Sequence, residues 1–326
     1  MADTLSFDLK LQKPGFELAG AADIPLQGIC GIVGASGSGK TTLLRALAGL
    51  EPDAIGRVRF RDTDWTGLAP QHRSIGFVFQ DARLFPHLNV IDNVRYGARR
   101  RGTDETRIQE VISAFDLVGL LGRRPGTLSG GEMRRVAMAR SLAAKPGILF
   151  LDEPMAGLDT DRKAEVLPYI TRAVDQFSLA VLYVTHSQFE IQVLADHLLP
   201  VANGRIGSLK PGPACFTLPV AKAADGLIQF RLGETVFDYA AAGQVGERWE
   251  LRPGPGALLV ENHPGDATAA AVIPASAVAD LDEAGGACLM VDDQKIGFPV
   301  APGLAAGRQL WLICPGLVAR CRTRKT

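Results

Sequence analysis

The 326-residue sequence contains no apolar run near the roughly 18 residues that a membrane-spanning helix requires. Its longest apolar stretches, Ile148 to Leu151 and Leu179 to Val184, have the length of buried strands, so any membrane attachment is expected to come through a partner. An excess of either charge is also lacking, since Lys plus Arg and Asp plus Glu number 35 each. That balance argues against a nucleic-acid binder, which usually carries a basic surplus. Cysteine is scarce and scattered: Cys30, Cys215, Cys288, Cys314 and Cys321 include no pair at zinc-ligand or redox spacing. Such a set suits a reducing cytosol and small packing roles. No basic stretch followed by an apolar core follows Met1-Ala2-Asp3-Thr4, so a secretory signal is not expected. His72, His197 and His263 stand alone, without metal-ligand spacing.

What is present can fold. Hydrophobic residues make up 47% and charged residues 21%, enough to build a core, and the length suggests two domains. Ile24 to Gly34 reads as an apolar strand ending in glycine, followed by a helical pattern from Thr41 to Gly49 with Leu43, Leu44 and Leu47 on one face. Ile75 to Gln80 reads as a strand, and Val90 to Val118 as charged helical sequence. Strands at Gly147 to Leu151 and Leu179 to Thr185 each follow a helical stretch, Glu132 to Ala144 and Arg162 to Val174. Doubly buried strands alternating with helices imply a mainly parallel α/β sheet.

After Asn203-Gly204 the texture changes. Lys210-Pro211-Gly212-Pro213 reads as a linker, dividing a domain at 1–212 from a second at 213–326. Beyond it lie short alternating runs at Leu227 to Leu232, Val236 to Ala240, Arg248 to Arg252, Ala257 to Val260, Cys288 to Val291, Ile296 to Val300 and Gln309 to Cys314. Separated by Gly and Pro turns, they predict a small antiparallel barrel or sandwich.

Gly34-Ala35-Ser36-Gly37-Ser38-Gly39-Lys40-Thr41-Thr42 lies between a predicted strand and a predicted helix. Glycines there allow a tight turn whose N–H groups converge on phosphate oxygens, and the helix start adds positive potential. Lys40 is expected to reach the β- and γ-phosphates of a nucleotide, and the Thr41 hydroxyl to ligate Mg²⁺. Ile148 to Leu151 then runs into Asp152-Glu153-Pro154: Asp152 is expected near the metal and Glu153 beside the attacking water.

Leu128-Ser129-Gly130-Gly131-Glu132 precedes another helix. With the phosphate loop, Gln80 after a strand, Asp152-Glu153, the Ala156-Gly157-Leu158-Asp159 turn and His186 after a strand, it resembles the ABC ATPase family in motif order over roughly residues 5–210. The resemblance implies a P-loop core with a helical subdomain at about 82–135. It also implies ATP and Mg²⁺ as ligands, with Thr41, Gln80 and Asp152 at the metal and Glu153, His186 and Gln80 in catalysis. Ser129, Gly130, Gly131 and Asp159 are then expected to meet nucleotide bound by a second copy of the chain. Transmembrane permease subunits and, through them, a substrate-binding protein are the implied partners, at the cytoplasmic face of the inner membrane. The segment Asp81 to His87 is expected to form a docking groove for the permease.

Family resemblance also narrows the cargo. Phe77 to His87 and Asn93-Val94-Arg95-Tyr96-Gly97 look most like the ATPase subunits of molybdate importers, which carry a C-terminal β-barrel. Oxyanion-binding barrels of that group have a Ser/Thr–Arg–Asn stretch, whereas Thr268-Ala269-Ala270-Ala271-Val272 lacks the Arg and Asn. Sulfate, ferric iron and polyamine importers share the cassette and remain alternatives, as does, less well, a soluble ABC ATPase. An aromatic that stacks on adenine normally precedes the phosphate loop. No Tyr does so here, and Phe16 is the nearest candidate, for stacking or for packing.

Overall fold

The computed structural model describes residues 3–213 and, beyond them, 216–224, 227–232, 235–240, 245, 248–253, 258–260, 271–281, 287–291, 294–298, 309–314 and 317–321. Two compact units divide the chain: Met1–Glu190 with Leu194–Lys210, and Ile191–Val193 with Pro211–Thr326.

The first unit opens with a hairpin, β1 (Thr4–Lys13) and β2 (Phe16–Pro25), in which Leu5, Phe7, Leu9 and Leu11 alternate into the core. That period of two is the mark of a half-buried strand, although the sequence analysis did not single out these segments. The stretch read as one strand from Ile24 to Gly34 is interrupted. β2 ends at Pro25 and β3 begins at Ile29 (Ile29–Val33) after a turn through Gly28 at φ 71°. Proline has no N–H to continue a ladder, and a Cβ at Gly28 would stand 2.2 Å from Asp196 Oδ2. Asp196 in turn accepts from the Ile29 N–H at 2.8 Å.

Helix α1 (Lys40–Leu47) follows the phosphate loop. β4 (Ile55–Phe60) and the short β5 (Thr63–Asp64) extend the antiparallel arm, and β6 (Ile75–Val78) leads to an irregular segment. The helical region after it is two helices, α2 (Val90–Arg101) and α3 (Glu105–Ala114). Gly102 breaks them at φ 64°, and Asp104 caps the second by accepting from Arg107 N at 2.8 Å. Then come α4 (Gly130–Ala143), β7 (Ile148–Asp152), α5 (Thr160–Phe177), β8 (Ala180–Val184), α6 (Gln188–Leu194), β9 (His197–Ala202), β10 (Arg205–Ile206) and β11 (Lys210–Pro211). Lys210–Pro211, read as linker, is thus a two-residue strand beside β9.

These strands form one mixed sheet in the order β5-β4-β1-β2-β10-β9-β3-β8-β7-β6. From β9 to β6 every pairing is parallel. β7 and β8 are buried at every residue, which explains their unbroken apolar sequence. The core joins Leu5, Phe7, Leu43, Leu44, Leu47, Phe60, Trp65, Phe150, Leu182 and Leu199, so both arms of the sheet and α1 share it.

The second unit contains β12 (Phe216–Ala224), β13 (Leu227–Leu232), β14 (Thr235–Ala240), β15 (Arg248–Pro253), β16 (Leu258–Val260), β17 (Ala271–Leu281), β18 (Ala287–Val291), β19 (Gln294–Phe298), β20 (Gln309–Cys314) and β21 (Leu317–Cys321). They make two five-stranded antiparallel sheets, β14-β13-β12-β15-β21 and β16-β20-β17-β18-β19. Thr268 to Ala270, part of the stretch compared with oxyanion-binding domains, lie outside the described residues. The side chains of every cysteine except Cys30 do so too. Cys30 is buried, and burial pushes its thiol up to about 12, so it is inert.

Candidate nucleotide site

Ligand sites in open parallel sheets lie outside the carboxyl ends of the strands. Four neighbouring strands, β3, β8, β7 and β6, end here at Val33, Val184, Asp152 and Val78, in nearly level register. The next residues along that edge are therefore the phosphate loop, Thr185-His186, Glu153 and Phe79-Gln80. Motifs separated by more than a hundred positions in sequence meet because of strand order.

The phosphate loop spans Gly34 to Gly39, and Gly39 caps α1 at φ 109°. A Cβ on Gly34 would lie 2.0 Å from Val201 O, and one on Gly39 would lie 2.7 Å from Phe16 Cζ. Both positions demand glycine, for space as well as for φ. Phe16 is half-buried directly against the loop. Lys40 is buried, and its Nζ donates to Gly34 O at 2.9 Å and Ala35 O at 2.7 Å. Ser38 Oγ is buried with no partner. A buried hydroxyl without a partner costs free energy, and phosphate oxygens would supply acceptors. The loop's free amides, the lysine and this orphan hydroxyl fit a polyphosphate. Ala35, Ser36 and Gly37 are exposed along the loop, and Thr42 is half-buried in the first turn of α1.

Thr41 and Asp152 meet across the sheet edge: Thr41 Oγ1 donates to Asp152 Oδ1 at 2.8 Å. Burial raises the Asp152 carboxyl above its usual range. The Thr41 bond opposes that shift, and the Glu153 charge adds to it. A hydroxyl and a buried carboxylate side by side form an oxygen donor set suited to Mg²⁺.

Glu153 adopts left-handed backbone at φ 44°, held by its N–H to Val184 O at 2.9 Å. Non-glycine residues pay a conformational penalty there, and such residues cluster at functional sites. Its Oε2 lies 3.2 Å from His186 Nδ1, with Glu153 21% and His186 63% exposed. The pair thus faces solvent while its backbone stays fastened to β8.

Gln80 is exposed, and its carbonyl accepts from Arg134 Nη1. The Leu128 to Glu132 motif starts α4 with a capping box. Ser129 Oγ accepts from Glu132 N at 3.2 Å, and Glu132 Oε2 accepts from Ser129 N at 2.6 Å. The Ser129 hydroxyl proton therefore stays available. The amides of Gly130 and Gly131 lie where a helix offers no internal acceptor. Among the described residues no hydrogen bond joins Ser129–Gly131 to residues 34–42 of the same chain. Asp159 caps α5, accepting from Arg162 N at 2.9 Å.

Two groups of residues escaped the sequence reading. Arg134 links the Gln80 and Ala156 carbonyls, and Tyr183, Glu190 and Lys163 form a buried network behind His186. An arginine on a helix reads as solvated surface, and the network joins residues from α5, β8 and α6, so no local signal reveals either.

A family model described as ABC transporter matches residues 21–156. The molybdenum import ATP-binding protein ModC of Methylococcus capsulatus is 43% identical over 249 residues, covering 73% of this chain and 67% of that protein. ModC of Thiobacillus denitrificans is 46% identical over 225 residues, covering 66% of this chain and 62% of its own length. ModC of Pseudomonas aeruginosa is 43% identical over 218 residues, with 64% and 60% covered. The match thus spans about two thirds of these relatives' length. Among solved structures, cbiO1 from Clostridium perfringens, described as part of the ABC transporter complex cbiONQ, superposes with a TM-score of 0.58. At 24% identity, over 64% of this chain and 88% of that one, it shares the fold. With the ordered motifs gathered along one sheet edge, this chain belongs to the ATP-binding family of ABC transporters.

Proposed function

We propose that this chain is the ATP-hydrolysing subunit of a molybdate importer, acting as a head-to-tail dimer on permease subunits at the cytoplasmic face of the membrane. The observation that carries the reading is the paired arrangement at one sheet edge: Thr41 on Asp152, and Glu153 beside His186. The relatives' names support molybdate as the cargo. Among the described residues no helix is long and apolar enough to cross a membrane, which fits a subunit attached through partners that also engage a substrate-binding protein.

ATP would lie with its phosphates on the loop amides, Ser38 and Lys40. Thr41, Asp152 and Gln80 would hold Mg²⁺, whose charge offsets the negative charge that builds on the phosphate oxygens. Glu153 orients a water and accepts its proton as the water oxygen bonds to the γ-phosphorus and the bond to ADP breaks. His186, tied through Nδ1 to Glu153, holds the γ-phosphate and the water in line. The second copy supplies the Ser129 hydroxyl and the Gly130 and Gly131 amides, with Asp159 beside them. Two such bridged sites are a sensible source of the roughly 5.5 kcal/mol that a swing from mostly open to mostly closed requires.

The segment from Asp81 to His87 suits permease docking. Phe85 packs half-buried on Tyr96, with ring centroids 4.3 Å apart. Beside it lies a hollow of 480 Å³ lined by His87, Leu88, Asp92, Tyr96 and Arg99.

A mixing experiment tests the shared site. Lys40→Ala and Ser129→Ala chains should each be inactive alone. Mixed, they should regain activity, because one of the two pockets in a mixed dimer joins an intact Lys40 to an intact Ser129. No recovery in demonstrably mixed dimers sinks the shared pocket. Molybdate uptake by vesicles carrying this chain with its permease tests the cargo, with sulfate as the competing substrate.

A further inference from the structure

The segment after β6, from Phe79 to Asn89, has neither helix nor strand to satisfy its backbone. Its carbonyls must find donors elsewhere. Phe85 O and Leu88 O accept from Asn93 Nδ2 of α2 at 3.2 Å each, and three others accept from α4. Arg134 donates through Nη1 to Gln80 O, and Arg140 donates to Ala82 O at 3.3 Å and Arg83 O at 2.9 Å. Arg134 has a second bond, from Nη2 to Ala156 O at 3.0 Å. Ala156 opens the turn that runs to Asp159, separated by one residue from Asp152-Glu153-Pro154.

One guanidinium therefore fastens two loops to a third element. It stands on α4, little more than one helical turn beyond Ser129. The planar fork of arginine can hold two carbonyls at fixed mutual distance, whereas an ammonium behaves as a single point donor. Burial lowers the Arg134 pKa, with Asp81 and Tyr183 acting in the opposite direction, as expected for a guanidinium enclosed among these segments.

We propose that Arg134 is a positioning residue that locks Gln80 and the Ala156–Asp159 turn to the helix bearing Ser129. When nucleotide draws α4, both loops move with it, so the metal-side glutamine and the aspartate of the neighbouring turn arrive together. Arg134 touches no reacting atom in this arrangement. Its effect is on where two other groups stand. The proposal rests on the ATPase reading above, and the tests below separate the two.

Full-length chains carrying Arg134→Met, Arg134→Lys, Gln80→Ala and the Gln80→Ala/Arg134→Met pair are compared with the unsubstituted protein. Loss of two bonds from a charged donor should lower kcat by about tenfold or more, with KM for ATP changed by less than about threefold because the phosphate loop is untouched. Arg134→Lys should recover only part of the rate. In the Gln80→Ala background, Arg134→Met should cost clearly less than in the native background, because only the Ala156–Asp159 turn is left to lose its place. Arg135→Gln is the structural control: the same helix holds Arg135, whose bonds go to Phe115 O and Asp116 O. It should lower Tm without lowering kcat.

Hydrogen exchange supplies a readout that needs no turnover. In Arg134→Met, amides in both 80–83 and 156–159 should exchange faster, and in Arg135→Gln neither should. An unchanged kcat in Arg134→Met, an equal loss with and without Gln80, or faster exchange in only one loop overturns the proposal. A native chain that binds but never hydrolyses ATP would instead overturn the ATPase reading, and exchange would still decide whether Arg134 ties the loops.

Discussion

Asp152 shows how a single residue is tuned against stability. Burial raises its carboxyl pKa, with only partial relief from Thr41. An acid whose folded pKa is raised adds stability at low pH and loses that contribution as pH rises through the folded value. At neutral pH the ionised Asp152 therefore opposes folding of the nucleotide-free chain. Asp152→Asn keeps an oxygen to accept from Thr41 without the buried charge. Thermal melts should show Tm higher by a few degrees at neutral pH, each kcal/mol being worth about 2–4 °C in a domain of this size. The gain should vanish as pH falls below the carboxylate range, and hydrolysis should be lost throughout. A lower Tm at neutral pH would show that the charge is fully compensated. Motif residues such as this one were legible in the sequence, because phosphate and metal chemistry select particular side chains at short spacing. The burial that shifts Asp152 was not, since it comes from β3 and β8 on one side and β6 on the other.

Elements meet behind the site through a buried network. Tyr183 of β8 donates to Glu190 Oε2 of α6 at 2.9 Å, and Lys163 of α5 reaches Glu190 Oε1 at 2.8 Å. Glu190 is 3% exposed, so these partners stand in for the water its carboxylate has lost. α5 starts just after its cap Asp159 and α6 follows His186, so the network ties together the helices that flank both residues. Removing one partner of a buried pair typically costs about 3–5 kcal/mol. Lys163→Met should therefore destabilise the chain by about 3 kcal/mol or more in denaturant melts. Lys163→Met combined with Glu190→Gln should restore part of the loss, since no charge is left unpaired. Additive losses would mean that the bridge is solvated. Element types in this unit followed from periodicity: β7 and β8 as continuous apolar runs, and α4 and α5 as helical ones. The alternation of β2 is diluted by Gly20 and the small residues around it, whereas that of β1 is plain in the sequence. The break at Gly102 was hidden inside a helical composition on either side.

At the scale of the whole molecule, the proposed function makes Ser129–Gly131 and the phosphate loop the two halves of a nucleotide clamp completed by a second chain. Ser129–Gly131 make no hydrogen bond to the phosphate loop among the described residues, although both present amides at helix starts. If two chains close on nucleotide, slowing hydrolysis should preserve the closed pair. Glu153→Gln should lower turnover by about 10²–10⁴-fold, the usual share of a general base, while still binding ATP. Sedimentation with ATP and Mg²⁺ should then show a dimer for Glu153→Gln and a monomer for Lys40→Ala. A monomer in both would remove dimer closure from the mechanism. The second unit contributed short alternating runs that the sequence already displayed, and β13 and β20 coincide with them end for end. Their assembly into two separate five-stranded sheets, with β12 pairing to both β13 and β15, came from long-range pairing.

The sequence by itself determined the chemistry available to this protein: a glycine-rich phosphate loop, an acidic strand end, a serine–glycine helix start and a histidine after a strand. Each is a contiguous motif, and its function as a donor set depends on local backbone geometry that a few residues encode. Only the tertiary structure decided which of these motifs share a site and which side chains hold them there. Thr41 meets Asp152 across 111 positions, and Arg134 joins Gln80 to Ala156, because strand order and helix packing place them together. Hydrophobic periodicity states that a segment is buried. It carries no information about which other segment buries it.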